Sequence, residues 1–552
     1  MSFLWRRTLQ GAVLATVLAT MLCGASIAAA AGASPGAQAA ARHTLDLAGS
    51  WRFRLDPEDV GERRRWWEEQ FTEQIELPGS LQEQGYGERP SSDTQWMSTL
   101  HDPLWSLRDE FDDPGTDGEL RVPFWLNPRR VYAGAAWYQR DIDVPESWRG
   151  RHVQLFLERV HWGGKAWLDG RPIGASDALG APQIFDIGLI EPGPHSLMLR
   201  VDNRLLVNVR RDSHSVTDST QTNWNGVVGR MELTATSPVY IERAHAYPNV
   251  AERNVRLEIE VRNTSNKAGK GSLEAAGAAT EIAWSAGETS KASLVVKLGE
   301  KTPLWSEFTP QLNSVKLTLQ GDDAADEREI AFGLREIETR DGDFFLNNDL
   351  LFLRGANEGC QFPLTGYPPT DLEPWLKILK QAKRFGLNHI RFHSFCPPEA
   401  AFTAADMLGV VLQPEASNWG QYQDPQMADF LERETAAIID AYGNHPSFMF
   451  MSSGNEGAGP YQQPVREWIK RWSARDPRRL YTGTTGRPVV RAAETELEKS
   501  YLVGIFVGWG QGGGIIRGVA GWYGKDFTRA VALSKIPVVA HEIGQWCAYP
   551  SF

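Results

Sequence analysis

The hydrophobic pattern of this sequence changes near residue 338, and that change restricts the folds open to the chain. From about Leu45 to this point, short apolar segments are separated by turn residues, as in β-strands. Beyond it, short apolar segments alternate with amphipathic stretches of helical period at 371–385 and 427–442. A long all-strand part followed by strand–helix alternation predicts β-sandwiches followed by a parallel sheet, in the form of a β/α barrel.

The length of 552 residues suits three or four domains. We predict a jelly-roll β-sandwich at 43–240, an immunoglobulin-like β-sandwich at 241–337, and a (β/α)8-type TIM barrel at 338–552. The barrel strands are placed at Leu350, Asn388, Val410, Phe448 and Leu480, with an indistinct sixth between Tyr501 and Phe506 and a seventh at Ile536. No eighth strand is found before Phe552, so the barrel is expected to be incomplete.

The first 31 residues have the pattern of an export signal. Arg6 and Arg7 precede an apolar stretch, and a run of alanines near residue 30 offers cleavage points. Residues 32–42 follow as a linker rich in Gly, Ala, Ser and Pro. We expect a protein exported to the periplasm or the extracellular space, without stable membrane insertion after cleavage. An uncleaved anchor is the alternative, and both Sec and twin-arginine export remain open.

Composition argues against several kinds of partner. The net charge of −12 would repel a polyanion, so we expect no nucleic acid as a partner. Of the four cysteines, Cys23 lies in the predicted signal, and the other three form neither a disulfide framework nor a zinc-binding spacing. We therefore expect no metal and no cofactor. The sequence leaves the oligomeric state open.

Two glutamates follow predicted barrel strands. Glu456 comes after the fourth strand, directly behind Asn455, and Glu542 comes after the seventh. Because catalytic groups of β/α barrels lie at the carboxyl ends of the strands, both carboxylates are expected in one mouth. Cleavage of a glycosidic bond requires such a pair, an acid for the leaving oxygen and a nucleophile or base below the sugar ring. A salt-bridge role is the alternative for either glutamate alone.

Together with further motifs, these residues resemble glycoside hydrolase family 2 over nearly the whole mature chain. That family carries Asn-Glu after the fourth barrel strand and Glu after the seventh. The other segments that resemble its motifs, in chain order, are 47–53, 77–80, 136–140, 167–170, 352–355, 388–391, 443–447 and 476–479. Each segment alone is a weak signal, and the resemblance becomes specific because all of them occur in the family's order.

The resemblance implies a retaining, exo-acting glycoside hydrolase of the β-galactosidase type (EC 3.2.1 class), which cleaves terminal β-linked sugars of oligo- or polysaccharides by double displacement. Glu456 would be the general acid and then the general base, and Glu542 would form the glycosyl-enzyme. Asn455 would bind the sugar 2-hydroxyl, and Arg391 would keep a carboxylate, that of Glu542, ionised. For a retaining mechanism the two carboxyl groups should lie about 5–5.5 Å apart.

Several other side chains near strand ends allow two interpretations. His393 and His541 either reach the sugar or pack within the barrel. Trp546, or Trp419 after the third strand, either stacks on the substrate or belongs to the core. Glu415, also after the third strand, is expected to support the residues that touch the substrate.

Two departures from the family pattern keep other hypotheses open. The segment 391–397 differs from the β-galactosidase, β-glucuronidase and mannosidase patterns, so neither the sugar nor the linkage is predicted. The incomplete barrel favours an alternative, a catalytically impaired carbohydrate-binding protein on a truncated hydrolase scaffold. A structural sandwich protein with an incidental C-terminal domain is a second alternative, and the placement of Glu456 and Glu542 argues against it.

Overall fold

The computed structural model describes residues 42–112, 120–124, 128–221, 223–486, 500–504 and 535–540. The predicted signal peptide and the predicted site residues Glu542, His541 and Trp546 lie outside the described residues. Within the described ranges, no helix combines the length and the apolar character that crossing a membrane requires.

Eleven described strands between residues 43 and 236 form the first sandwich. One sheet has the order β1-β11-β6-β9, with β4 paired to β11, and the other has the order β3-β2-β5-β10-β7-β8. Alternate side chains of both sheets, among them Trp51, Leu155 and Leu233, meet in one buried core. The strands are β1 (His43–Asp46), β2 (Gly49–Asp56), β3 (Glu73–Leu77), β4 (Gly79–Ser80), β5 (Ala135–Val144), β6 (His152–His161), β7 (Gly163–Leu168), β8 (Arg171–Ser176), β9 (Gln183–Leu189), β10 (Gly193–Asp202) and β11 (Gly226–Thr236).

Seven described strands between residues 239 and 332 form the second sandwich. The antiparallel sets β15-β14-β17-β18 and β12-β13-β16 are joined by one parallel bridge between Val239 and Ala324. Val255, Leu257 and Ile259 alternate with exposed or half-buried neighbours and lie in the core, as a half-buried strand requires. The strands are β12 (Val239–Asn249), β13 (Asn254–Asn263), β14 (Gly269–Ala275), β15 (Ala278–Trp284), β16 (Thr289–Lys297), β17 (Asn313–Gly321) and β18 (Ala324–Phe332).

The predicted first barrel strand at Leu350 is wrong. Leu350 lies in β21 (Asp349–Leu351), which belongs to an antiparallel sheet with β19 (Ile337–Arg340) and β20 (Asp343–Leu346). Asn347 and Asn348 connect β20 to β21, and both have positive φ angles, of 56° and 71°. A two-residue turn of this kind closes an antiparallel hairpin, so the parallel strand can begin only beyond it.

Parallel strands and helices alternate after this hairpin and form the β/α region. Parallel pairs join β22-β23-β24, β25-β26 and β27-β28, and single bridges link Leu412 to Phe448 and Tyr481 to Ser500. The elements are β22 (Gly355–Glu358), α2 (Leu372–Arg384), β23 (His389–Phe392), α3 (Glu399–Leu408), β24 (Val411–Gln413), α4 (Pro425–Tyr442), β25 (Phe450–Ser452), α5 (Gln462–Arg475), β26 (Leu480–Thr482), β27 (Leu502–Gly504) and β28 (Val538–Ala540); a short helix, α1 (Asp109–Asp112), lies in the first sandwich.

Local signals explain where these helices begin and end. At the start of α4 the Asp424 carboxylate accepts a hydrogen bond from the backbone N–H of Gln426, and Pro425 occupies the first helical position. Helix α3 ends at Gly409, whose φ of 67° is left-handed. The predicted helical stretches at 371–385 and 427–442 are confirmed by α2 and α4.

The first sandwich and the β/α region share one apolar core. Trp162, Leu179 and Val209 of the first sandwich are buried in the same cluster as side chains of α2 and α4. Glu434 of α4 extends this contact, because its carboxylate accepts hydrogen bonds from the backbone N–H groups of Leu179 and Gly180. The first sandwich is therefore packed against the β/α region as one of its walls.

The amino-terminal ends of the β/α strands pack on the second sandwich through the base network, formed by four buried residues, Asp476, Arg478, Arg479 and Arg335, and the half-buried Asn444. The Asp476 carboxylate pairs with the guanidinium groups of Arg478 and Arg479. Burial alone would raise its pKa, but these two cations hold the pKa of Asp476 well below its usual range. Arg335 donates to backbone carbonyls, and the Asn444 amide bonds the backbone of Ala244 and Ala246.

Candidate active site

The carboxyl ends of β24, β25 and β26 bring the candidate residues together. Asn455 and Glu456 follow β25, and the backbone N–H of Asn455 donates to the carbonyl of Asn418 at 2.9 Å. On the other side, the N–H of Glu456 donates to the carbonyl of Thr485 at 2.7 Å. Both backbone positions are thus fixed by the segments that follow the neighbouring strands.

Two glycines allow the close approach of these segments. Gly454 has a φ of 150°, and a Cβ there would lie 2.4 Å from the carbonyl oxygen of Asn418. Gly420 has a φ of 87°, and a Cβ there would lie 2.7 Å from the carbonyl oxygen of Glu456. Glu456 itself has a φ of 40°, which L-residues adopt at a cost and which is common at functional turns.

A buried network, the mouth network of Arg391, Glu415, Asn455 and Thr485, underlies this turn. The Arg391 Nε donates to Glu415 Oε1 at 2.7 Å, and its Nη2 donates to Asn455 Oδ1 at 2.8 Å. The Thr485 hydroxyl lies 2.9 Å from both Glu415 Oε1 and Asn455 Oδ1, and it accepts from Arg391. The Ser394 backbone N–H donates to the second Glu415 oxygen at 2.7 Å. Arg391 therefore holds Glu415 as an ion pair and orients Asn455.

The Asn455 side chain is left with one unused donor. Its Oδ1 accepts a hydrogen bond from Arg391 and lies 2.9 Å from the Thr485 hydroxyl, but its Nδ2 is buried without a partner among the described residues. A buried N–H without a partner costs about 1–3 kcal/mol, so a folded protein retains one mostly where something else binds to it. The Asn455 amide can thus donate to a polar ligand at the mouth.

Glu456 projects from the turn as a partly exposed carboxyl group. Its Oε2 lies 3.1 Å from the indole Nε1 of Trp419, which donates to it. Its backbone and this one oxygen are held, while the side chain keeps access to solvent. A positioned carboxyl group at a strand end is what proton transfer to a bound molecule requires.

Rings from two parts of the chain line the same mouth. His393 stacks on His214 with ring centroids 4.0 Å apart, and it meets Trp419 edge-on at 5.0 Å. His214 and Arg210 come from the first sandwich, and the Arg210 guanidinium lies over the Trp419 ring at 5.3 Å. The first sandwich therefore supplies side chains to the mouth.

Glu358 is another carboxyl group at this end of the β/α region, and its pKa is raised. It ends β22, and its Oε1 accepts from the backbone N–H of Cys360 at 3.1 Å. Burial raises the pKa of Glu358 to about 7. This group is therefore able to hold a proton near neutral pH.

The structure places four of the predicted site residues together, namely Glu456, Asn455, Arg391 and His393. Glu415 accepts hydrogen bonds from Arg391 and from the Ser394 backbone, and its role in supporting the residues that touch the substrate stays a prediction. Arg391 was expected to pair with Glu542, and the carboxylate it binds among the described residues is that of Glu415. Glu542, His541 and Trp546 lie outside the described residues, so the separation of the two glutamates stays a prediction.

Sequence reasoning missed Thr485, His214 and Arg210. Thr485 follows β26 at the same edge as Glu456, so the rule that identified Glu456 also applied to it. No sequence signal identifies His214 or Arg210, because they reach the mouth from a different sheet system about 180–210 residues earlier in the chain.

Known proteins resemble this chain in sequence and in fold. A sequence profile described as "Glycosyl hydrolases family 2" matches residues 239–335. The β-galactosidase of Aeromonas hydrophila is 26% identical over 388 residues, covering 64% of this chain and 36% of that protein. The β-galactosidase of Clostridium acetobutylicum is 21% identical over 472 residues, covering 80% of this chain and 49% of that protein. The chain thus spans about a third to a half of the length of the curated relatives it matches.

Two solved structures show the same fold. A β-glucuronidase from Ruminococcus gnavus, solved with an N1-substituted uronic isofagomine, matches with a TM-score of 0.65 at 17% identity, covering 91% of this chain and 83% of that one. A GH2 β-galacturonidase from Eisenbergiella tayi, bound to galacturonate, matches with a TM-score of 0.60 at 20% identity, covering 80% and 71%. The chain therefore has the multidomain fold of these two glycoside hydrolases. The chain is similar to proteins of glycoside hydrolase family 2.

Proposed function

We propose that this protein is a retaining, exo-acting glycoside hydrolase that removes terminal β-linked sugars by double displacement, in the manner of a β-galactosidase. The proposal includes the finer architecture, a jelly-roll sandwich, an immunoglobulin-like sandwich and a (β/α)8-type barrel. The observation that carries it is the pair Asn455-Glu456 at the end of β25, supported from below by Arg391 and Glu415.

In this proposal Glu456 donates a proton to the leaving oxygen while Glu542 attacks the anomeric carbon. Glu456 then removes a proton from the water that releases the sugar from Glu542. The Asn455 Nδ2 donates to the 2-hydroxyl, which satisfies the donor that the protein leaves unpaired. Arg391, by binding both Asn455 and Glu415, keeps that amide turned towards the sugar.

The comparisons support the substrate class without fixing the sugar. The curated relatives are β-galactosidases, and the structural neighbours include a β-glucuronidase and a β-galacturonidase. Because the chain spans less than half of the length of the galactosidases, both neutral hexosides and uronides belong in the test. Export to the periplasm or the medium is part of the same proposal, and N-terminal sequencing of the secreted protein tests it.

The test is a panel of aryl β-glycosides offered to the purified 552-residue chain, comprising galactoside, glucoside, mannoside, glucuronide and galacturonide. We expect one of them to be hydrolysed with retention, seen by NMR as initial release of the β-anomer. Glu456→Gln and Glu542→Gln should each lower kcat by at least about 10³-fold. Glu373→Gln, at an exposed position in the first turn of α2, is the matched control and should leave kcat unchanged.

Two results would contradict the proposal. The first is full activity in Glu456→Gln or Glu542→Gln. The second is sugar binding by calorimetry with no turnover of any panel member, which would favour the alternative, a carbohydrate-binding protein on a hydrolase scaffold.

A further inference from the structure

The Glu456 carboxyl group has two oxygens in different surroundings. Oε2 accepts the indole N–H of Trp419 at 3.1 Å, and among the described residues no other side chain donates to this carboxyl group. An indole N–H can only donate a hydrogen bond, so the oxygen that it contacts must act as an acceptor. The carbonyl oxygen of a protonated carboxyl group is its better acceptor, so this contact favours a Glu456 proton on Oε1.

Trp419 is itself held from several sides. Its backbone N–H donates to the carbonyl of Val209 at 3.0 Å, and the Arg210 guanidinium covers its ring at 5.3 Å. His393 and His214 contact the ring edge-on, with centroids 5.0 and 5.6 Å away. Three of these four contacts come from the first sandwich, so the orientation of the indole depends on that sandwich.

The segment that makes these contacts, residues 207–214, is anchored at two residues near its carboxyl end. The Asp212 carboxylate accepts from the backbone N–H of Thr99 at 2.7 Å and from its hydroxyl at 2.6 Å. The backbone N–H of His214 donates to the Ser394 hydroxyl of the β/α region at 2.9 Å. The segment is thus tied to the first sandwich and to the strand-end loops at the same time.

We propose that Trp419, presented by residues 207–214 of the first sandwich, is the positioning residue that assigns the proton of Glu456 to Oε1. This inference rests on the proposed function. In the first step the Glu542 carboxylate bonds to the anomeric carbon as the glycosidic C–O bond breaks, and the Oε1–H proton passes to the leaving oxygen. In the second step Oε1 accepts a proton from water, whose oxygen bonds to the anomeric carbon and displaces the Glu542 carboxylate.

This role predicts a dependence on the leaving group. A sugar or alkyl leaving group needs a proton from the acid, whereas dinitrophenolate leaves well without one. Trp419→Phe keeps a ring for packing and removes the N–H. We expect kcat/KM to fall about tenfold for the poor leaving group and less than about threefold for the dinitrophenyl glycoside of the same sugar.

The matched control is Trp472→Phe. Trp472 Nε1 also donates to a glutamate, Glu432 Oε2, at the same distance of 3.1 Å, but this pair joins α5 to α4. Trp472→Phe removes an equivalent indole–carboxylate bond away from the mouth, so this variant should hydrolyse both substrates as fast as the unmodified protein does. An equal loss for both leaving groups in Trp419→Phe would overturn the positioning role and leave the hydrolase proposal intact.

A second variant and a second readout guard against loss of folding. Arg210→Met removes the cation over the indole while keeping side-chain length, and it should give the same leaving-group pattern at about threefold. In ¹⁵N-tryptophan-labelled protein, Glu456→Gln should shift the indole resonance of Trp419 and not that of Trp472. An unmoved Trp419 resonance would overturn the contact. A moved resonance in a chain without any turnover would instead contradict the proposed function and, with it, the catalytic role of the contact.

Discussion

The two ends of the β/α region both contain a buried ionic network, and they differ in how completely it is satisfied. In the base network Asp476 meets two arginines, and the Asn444 amide bonds protein through both its oxygen and its nitrogen. In the mouth network the Asn455 amide has the same kind of oxygen contacts, yet its nitrogen has no partner among the described residues. The base network is built for stability, and the mouth network keeps a donor for a ligand.

The comparison teaches that burial and charge alone do not indicate a site. The charged groups of the base network are as buried as those of the mouth network and include more cations, but its hydrogen-bonding groups are directed at protein atoms. At the mouth, Glu456 is partly exposed and has a positive φ angle. An unsatisfied donor beside an accessible acid is the feature that the base network lacks and on which the proposed catalytic role of the mouth network rests.

The largest effect is expected from breaking the base network. Asp476→Asn leaves Arg478 and Arg479 buried without their carboxylate, and we expect a loss of about 3–5 kcal/mol in the free energy of unfolding, measured by urea denaturation. Asp141→Asn is the control, because the Arg52–Asp141 pair is exposed and should contribute less than about 1 kcal/mol. Similar losses in the two variants would show that the base network is not the stabilising one.

The comparison can be tested by making the same change, Asn to Ala, at Asn455 and at Asn444. Asn455→Ala removes the donor proposed for the substrate, and we expect kcat/KM to fall about 10²-fold. Asn444→Ala breaks bonds to the backbone and should cost about 2 kcal/mol of stability, with kcat/KM of the folded protein unchanged. Steady-state kinetics and urea denaturation give kcat/KM and the free energy of unfolding for each of the two variants. If Asn444→Ala lost the activity instead, the assignment of the two ends would be reversed.

Glu434 offers an intermediate case, a buried carboxyl group whose hydrogen bonds come from backbone N–H groups. Burial raises its pKa to about 7, above the usual 4.5, so the folded state keeps a proton that the unfolded state releases between these values. The free energy of unfolding should therefore fall by up to about 3 kcal/mol as the pH rises from 4.5 to 7.

The measurement is urea denaturation of the protein and of Glu434→Gln at several pH values. The variant should be less stable at low pH, because an amide offers one acceptor fewer to Leu179 and Gly180. Its difference from the parent should shrink as the pH rises to 7. A difference that stayed constant with pH would mean that Glu434 is ionised throughout.

Much of the fold could be predicted because it depends on local signals. The strands containing Val255 and Leu155 follow from alternation, and α2 and α4 follow from their helical period. The first barrel strand was misplaced at Leu350. The short apolar run there fits a strand of a hairpin as well as it fits a buried parallel strand. The turn at Asn347-Asn348 distinguishes the hairpin from the parallel strand. It has a sequence signal, because asparagine adopts the left-handed conformation more readily than most residues.

The site was predictable only as far as strand ends define it. Glu456 and Asn455 were identified by their position after β25, and that position is confirmed. The contacts that orient Glu456 and Asn455 were not identified from the sequence. Arg391 contacts Asn455, 64 residues later in the chain, and Trp419 contacts Val209, which belongs to the first sandwich. Such contacts depend on three-dimensional packing, which a single sequence does not encode in any local pattern.

The shared core of the first sandwich and the β/α region has a consequence for how the gene can be divided. Val209 and Trp162 are buried with side chains of α2 and α4, and residues 207–214 present Trp419 to Glu456. A recombination event that exchanged the β/α region alone would separate an acid from the groups that aim it. Inheritance should therefore keep these two parts of the chain together, even though they are distinct units of secondary structure.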